Sequence, residues 1–357
     1  MPLVAHNSLP AFDRLRDSGQ IVLTEQAAKH QDIREQHIGL LNMMPDAALE
    51  ATERQFFRLI GESNPIAQFY VHPFTLPEFE RGERAAAHIA KYYESFDDIK
   101  NEGLDALIIT GANVIGPELS NQVFWEPLIK VIDWASEHVT STLCSCLATH
   151  AVLEFRYGQK RIPQSEKTWG VFPHRVVYGE HPIVKDINTR FDVPHSRWNK
   201  VTPEQFRDAG LHVLVESEIG VHLATSRDGI RFIFFQGHQE YDTISLLKEY
   251  KRDLLLYVKG SLDKAPPFPK NYFNPLVKAI LSEYASRLLT AESQSLPLPE
   301  FPEKQIVEHL DNTWHDTAEA VVGNWMGCIY QLTNNDRRIR FMDGIDPDDP
   351  LGINHDK

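Results

Sequence analysis

The sequence predicts an α/β fold: a mainly parallel sheet flanked by helices, with antiparallel additions and a C-terminal helical extension. Three observations lead there. Up to Gly158, short apolar runs alternate with amphipathic stretches of helical spacing. The apolar runs are hydrophobic at successive positions, as strands buried on both faces are. After Gly158 the pattern changes to short strands separated by turn residues, which suits antiparallel additions.

Taken in order, residues 1–35 are mixed and polar and read as an N-terminal extension with local helix. His37 to Met44 is a short apolar run ending at Pro45, hence a buried strand. Asp46 is placed to cap the helix after it, and Ala47 to Ile60 sets Leu49, Phe56, Leu59 and Ile60 near one face. Ala67 to Pro73 reads as a second strand stopped by proline. Ala86 to Tyr93 is a short helix, Leu104 to Ile109 a third strand, and Phe124 to Glu137 an amphipathic helix. Val139 to Leu143 is a β-branched strand. Leu147, Ala151, Val152 and Phe155 then follow on helical spacing.

Beyond Gly158, Gly170 to Phe172, Arg175 to Tyr178, Leu211 to Glu216, Val221 to Thr225 and Arg231 to Gln236 read as separate strands. Ile244 to Gly260 reads as helix. Residues 290–302 are rich in proline and serine and are the best linker candidate. Thr313 to Leu332 is a final helix whose apolar face is Trp314, Ala318, Val321, Val322, Trp325 and Ile329. The tail from Asp343 to Lys357 carries five acidic residues and is expected to be mobile. This divides the chain into 1–35, a main α/β domain 36–265, a helical extension 266–342 containing an insertion near 277–305, and the tail 343–357.

Composition bounds the function. The formal net charge is −14, which weighs against nucleic acid as a partner but not against one local basic pocket. No apolar run reaches the roughly 18 residues needed to span a membrane. The first residues lack the basic start and apolar core of a signal peptide. The three cysteines, Cys144, Cys146 and Cys328, form neither a disulfide framework nor a CxxC pair. That suits a reducing cytoplasm and gives no reason to expect a metal.

Chemistry points to the turn between the Val139 strand and the next helix. Cys146 stands there, beside the free N–H groups of a starting helix. That position favours negative charge on sulfur and can hold an oxyanion. A second stretch, Phe234 to Asp242, also follows a strand. His238 and Glu240 lie two apart, so in extended geometry they leave the same side of the chain. An imidazole can take and return a thiol proton, and a carboxylate can fix its tautomer. Cys146, His238 and Glu240 would fill these roles. Cys144 points the same way as Cys146 and competes as nucleophile on spacing, although its place within the strand suits a packed core residue.

These pieces together resemble the homoserine O-acyltransferase family, homoserine O-succinyltransferase type, whose fold is similar to class I glutamine amidotransferases. The resemblance runs from Leu9-Pro-Ala to about Met342. It is carried by Leu41-Asn-Met-Met-Pro45, Ile109-Thr-Gly-Ala112, Val139 to Cys146, Ser165 to Val171, Pro194-His-Ser-Arg197, Gly237 to Asp242 and Asn324-Trp-Met. It implies that Cys146 accepts the acyl group, with His238 as base and Glu240 in support. It also implies substrate contacts at Lys167, Ser196 and Arg252. Backbone N–H groups of Leu147 and of the Thr110–Asn113 turn, Gly111 among them, would hold the oxyanion. The implied substrates are acyl-CoA and L-homoserine, or L-serine, with no further cofactor, no nucleic acid and no membrane, in a cytoplasmic homodimer.

Two features depart from the family pattern. The lysine pair that often follows Met-Pro is replaced by Asp46 to Thr52, without lysine. An ungapped count puts Ile115 at the position associated with acyl size, with Gly116 next and Glu118 further on, so neither the glycine nor the glutamate rule is met. Absence of the glutamate favours succinyl over acetyl.

Overall fold

In the computed structural model of the chain, residues 3–20, 22–29, 34–64, 66–114 and 116–353 are described. The N-terminal part holds β1 (Leu3–Ala5), α1 (Pro10–Asp17), β2 (Val22–Thr24) and α2 (Glu25–Ala28). Next come β3 (Glu35–Leu41), α3 (Asp46–Glu62), β4 (Gln68–Phe74), α4 (Glu83–Tyr92), α5 (Phe96–Glu102) and β5 (Ala106–Ile109). They lead to α6 (Trp125–His138), β6 (Ser141–Ser145) and α7 (Leu147–Tyr157). The antiparallel part contains β7 (Ile162–Val176), β8 (Arg190–Lys200), α8 (Pro203–Asp208), β9 (His212–Ser217) and β10 (Gly220–Thr225), and β11 (Phe232–Phe235) returns to the centre. The chain finishes with α9 (Ser245–Val258), α10 (Pro275–Ser293), α11 (Glu303–Val307) and α12 (His315–Leu332).

The strands form one sheet in the order β2-β1-β4-β3-β5-β6-β11-β10-β9-β7-β8. From β2 to β11 neighbours run parallel, and from β11 to β8 antiparallel. Alternation along the strands feeds two cores. Ile38, Leu40, Ile108, Leu143, Ile233 and Phe235 face a layer with α1, α3 and α12. Leu41, Leu107, Ile109, Cys144, Phe232 and Phe234 face the opposite layer with α6 and α7. A third apolar cluster joins α9 and α10 to Trp169 and Val171 of β7.

Several sequence expectations change here. Residues 1–35 do not lie outside the sheet. Their described part supplies β1 and β2, and Leu3, Leu9, Phe12 and Leu15 enter the main core. Asp46 opens α3 as its first residue behind Pro45, and its carboxylate accepts from the Gly82 N–H at 2.8 Å instead of capping its own helix. Pro73 does not stop β4, because β1 ends before reaching it and leaves that edge of the strand without a ladder.

The two short strands expected at 170–178 are the end of a single strand, β7. Its long partner β8 is hidden in the sequence by polar residues such as Arg190, Asp192, Ser196 and Arg197. The segment 277–305 is mostly the helix α10, capped by Asn274 and packed through Val277, Leu281, Tyr284 and Leu288. The linker candidate is held at Phe301, whose ring meets Tyr284 edge-on at 5.1 Å. α12 belongs to the main core, and Trp325 Nε1 donates to Ser141 Oγ of β6 at 2.7 Å. The tail is packed as far as Ile353, with Ile345 and Leu351 against the same core.

Candidate active site

β6 and β11 lie side by side in parallel register, with Ser145 opposite Phe235. The residues that follow them therefore emerge at the same edge of the sheet. Cys146 follows β6 and His238 follows β11. The Cys146 N–H donates to the Phe235 carbonyl at 2.7 Å, which ties the two strand ends together.

Cys146 is the residue before α7 and has φ 52°, ψ −106°. That conformation is costly for a residue with a side chain, and such strain concentrates at nucleophile corners between strand and helix. It holds the thiol partly exposed beside the first amides of α7, which have no partner within the helix. Gly111 closes the corner from the β5 side. A methyl group built on it would lie 3.5 Å from Cys146 Cβ and 3.9 Å from the Leu147 nitrogen. Leu147 and Gly111, the expected oxyanion pair, are thus neighbours around the thiol. Cys144 is fully buried, and burial pushes its thiol far up, whereas Cys146 is partly exposed.

The segment Gly237 to Asp242 is fixed from three sides. Gly237 sits against β8, where a Cβ would come within 2.4 Å of Val193 and 2.8 Å of His195, so only glycine fits. The His238 N–H donates to the Pro194 carbonyl at 2.7 Å. On the other side Asp242 receives Arg54 at 3.1 Å and pairs with Arg58, which also donates to the Glu240 carbonyl at 3.0 Å.

Within this frame His238 Nδ1 and Glu240 Oε1 are 2.7 Å apart, both groups buried. Cys146 lies near enough to His238 to act on its imidazole. Burial alone would lower the imidazole pKa, but the charges of Glu240 and Cys146 outweigh it and hold the value well above the ordinary one. His150, one turn after Cys146, is the rival base. Burial pushes it down to about 3, and its Nε2 faces Gln236 at 3.1 Å. The three expected residues are therefore assembled as thiol, imidazole and carboxylate, which can attack and transfer an acyl group.

Next to them lies a cluster centred on a residue the sequence reading missed, Glu249 of α9. Lys167 Nζ is 2.9 Å from its Oε2, Ser196 Oγ donates to the same oxygen at 2.6 Å, and Tyr241 OH donates to Oε1 at 2.8 Å. Burial pushes the Glu249 pKa up. The Lys167 charge and the three hydrogen bonds prevail and keep it below the ordinary value. The Tyr241 ring stacks on His238 with centroids 4.4 Å apart, so this cluster and the thiol site touch. Lys167 and Ser196 are brought together as expected. Arg252, three residues after Glu249, is more exposed and pairs with Asp253 at 2.8 Å. Glu249 lies one helical turn before Arg252, but the same helix also carries Lys248, Lys251 and Asp253, so its spacing did not mark it out.

Two buried guanidiniums were also missed. Arg161 donates to the carbonyls of Val114, Gly116 and Pro117, which fixes the loop after β5. Gly116 is held there by its carbonyl; Ile115 lies outside the described residues. Arg197 donates to the carbonyls of Ile219 at 2.8 Å and Asn199 at 3.1 Å. Burial lowers the pKa of both guanidiniums, that of Arg197 to about 10, and the nearby Cys146 opposes the shift. Where the family carries lysines after Met-Pro, the nearby cation is Arg81, which donates to the Met44 carbonyl at 2.6 Å and to Asp46 at 3.2 Å.

The sequence matches the family model described as HTS, homoserine O-succinyltransferase, over residues 2–335. The chain belongs to the homoserine O-succinyltransferase family. Relatives named homoserine O-succinyltransferase include those of Nitrosococcus oceani, 64% identical over 99% of both chains, and Allochromatium vinosum, 65% identical over 99% of both. That of Thiobacillus denitrificans is 63% identical over 99% of this chain and all of its own. Among solved structures, a glutamine amidotransferase from Thermotoga maritima aligns with 83% of this chain and 98% of its own, at 9% identity and a TM-score of 0.45. No described helix is long and apolar enough to cross a membrane.

Two groups of described residues have the composition of a metal site, His6 with His72 and Glu94, and Glu62 with His315 and Glu319. Neither includes a residue of the cluster around Cys146. His72 is already bonded to Glu94 at 2.7 Å and to His37 at 2.9 Å.

Proposed function

We propose that this chain transfers a succinyl group from succinyl-CoA to the hydroxyl of L-homoserine, through an acyl-enzyme on Cys146. One observation carries the mechanism: the thiol, the His238–Glu240 pair and the Lys167–Ser196–Glu249 cluster meet at one edge of the sheet, in a chain that matches the family model over residues 2–335.

His238 takes the Cys146 proton and the sulfur attacks the thioester carbonyl. The tetrahedral oxyanion is held by the Leu147 and Gly111 amides. The carbonyl reforms, CoA leaves as its thiol with the proton from His238, and the succinyl group stays on Cys146. Homoserine then enters. His238 removes its hydroxyl proton, the oxygen attacks the acyl carbon, and the ester leaves as the thiol is restored. Glu240 keeps Nδ1 of His238 protonated throughout, so that Nε2 exchanges the proton. For the acceptor, Glu249 supplies a carboxylate for the α-ammonium. Arg252, on the same helix, supplies a guanidinium for the α-carboxylate. No cofactor beyond the acyl-CoA substrate enters this scheme.

L-Serine is the second acceptor to consider, because the loop after Met44 departs from the family pattern, and acetyl-CoA the second donor. Incubation of each donor with each acceptor, with CoA release followed in real time, tests the reading. Succinyl-CoA with homoserine is expected to be fastest. Faster turnover with serine, or hydrolysis unaffected by either amino acid, would overturn it. The three free cysteines suit a cytoplasmic protein, and we take the working form to be a homodimer, which light scattering at micromolar concentration tests.

A further inference from the structure

We propose that a groove beside Lys167 binds the phosphate-bearing tail of the acyl-CoA donor, an inference that rests on the acyl-transfer reading above. The groove encloses about 420 Å³ and is lined by Gln164, Ser165, Lys167, Lys200, Ile219 and Lys270, among others.

The fold makes this groove deliberately. In the β7–β8 ladder Pro163 pairs with Asn199 and Thr168 with Arg197, so the four residues 164–167 face the single residue Trp198. The excess chain bulges outward and forms one wall. The opposite wall is the segment at Lys270. Its N–H donates to the Trp169 carbonyl and its carbonyl accepts from the Val171 N–H, both at 2.9 Å. That approach needs Gly170. Its φ is 140°, and a Cβ there would meet the Lys270 oxygen at 2.2 Å. Lys270 is therefore held in place by backbone on both sides.

The charge in the groove is unusual for a chain of net charge −14. Lys167 is committed to Glu249. Lys200 and Lys270 form no ion pair with a carboxylate among the described residues, although the exposed Glu204 feels the Lys200 charge. Glu166 is the one carboxylate in the lining. Beneath the floor the Ile219 carbonyl accepts from Arg197, a guanidinium only 4% exposed. Its hydrogen-bond partners, the Asn199 carbonyl and His195 Nδ1, are neutral. A buried cation and two lysines, none paired with a carboxylate among the described residues, thus direct positive field into one cavity of an otherwise anionic protein.

The groove also leads to the right place. Lys167 touches Glu249, Glu249 touches Tyr241, and Tyr241 stacks on His238 beside Cys146. A thioester at Cys146 can run its arm past Lys167 and lay its polyanionic nucleotide end between Lys200 and Lys270. Repulsion by the chain as a whole makes such a local site necessary for a donor carrying several phosphate charges.

The test compares two donors, succinyl-CoA and the succinyl thioester of N-acetylcysteamine, which has no phosphate. In the K200E/K270E double variant, KM for succinyl-CoA is expected to rise about ten-fold at low salt with kcat held, and the gap to narrow as salt is added. For the phosphate-free thioester, kcat/KM should stay within about two-fold of wild type. Unchanged KM for succinyl-CoA, or equal losses on both donors, would overturn the assignment. If the wild type releases thiol from neither donor, the acyl-transfer reading fails by itself. Calorimetric titration with CoA alone then still decides the groove: weaker binding to the double variant supports it, and equal binding overturns it. Inorganic phosphate binding as tightly as CoA would also overturn it, by reducing the groove to a simple anion site.

Discussion

Glu249→Gln is the perturbation that best separates structure from chemistry at this site. The carboxylate accepts from Lys167, Ser196 and Tyr241 at 2.6–2.9 Å, and both it and Lys167 have side chains less than 15% exposed. The amide keeps the shape and the Tyr241 contact. Its NH2 then faces Lys167 and Ser196 where an acceptor stood. Two unit charges about 4 Å apart interact by about 4 kcal/mol at an effective dielectric constant near 20. Breaking a buried pair by removing one partner costs about 3–5 kcal/mol. A loss of about 3 kcal/mol corresponds to a fall in Tm of about 4 °C for a chain of this size. If Glu249 also grips the acceptor ammonium, kcat/KM for homoserine should fall about a hundred-fold, the same energy expressed as rate. The first half-reaction should survive, because Cys146, His238 and Glu240 are untouched. The assay is therefore double: thermal unfolding, and rapid-quench measurement of the CoA burst against steady turnover. A variant within about 2 °C of wild type and within about three-fold in kcat/KM would refute the reasoning, as would loss of the burst together with turnover.

Other outcomes follow from the same geometry. Cys144→Ala should leave turnover within about three-fold of wild type, since that thiol is buried in the ladder between Ile109 and Phe234. Gly170→Ala should destabilise by about 3 kcal/mol or more, measured by urea unfolding, because a positive φ and a backbone clash with Lys270 coincide. The pH dependence of stability has a sign that can be worked out. Glu249 has a folded pKa below its unfolded value, so its contribution is present above the ordinary carboxylate pKa and is lost as pH falls through the folded one. Urea titrations toward acid should show this loss in the wild type and not in Glu249→Gln. His238 runs the other way. Its folded value is raised, so its contribution is complete below pH 6.5 and is lost as pH rises through the folded value. Comparison of the alkaline limb of stability in wild type and His238→Gln checks that.

The parallel half of the fold was legible because its strands are buried on both faces and read as unbroken apolar runs. The Cys146 corner and the His238–Glu240 pair were legible for a related reason: each follows such a run directly. β8 was not, since ladder pairing to β7 and packing of only part of each residue let Arg190, Asp192, Arg197 and Asn199 occupy a strand. α10 carries a readable spacing in Val277, Leu281, Tyr284 and Leu288, but the prolines and serines after it drew the boundary too early. Residues 1–35 are short of apolar runs because β1 and β2 have three residues each, too few to show a period. Arg161, Arg197 and Glu249 illustrate a different limit. Their roles depend on carbonyls and side chains brought from distant elements, and nothing in local spacing distinguishes them from surface charges.

Acyl transfer by this route requires a covalent intermediate at Cys146, and intact-mass analysis tests for it most directly. Wild-type protein mixed with succinyl-CoA and no acceptor should gain the mass of one succinyl group, located on Cys146 by peptide mapping and discharged when homoserine is added. Cys146→Ala should gain none. Wild-type protein that turns over without ever carrying the group, or a Cys146→Ala variant that still carries it, would contradict the assignment of the strand-to-helix corner as the acyl-accepting site.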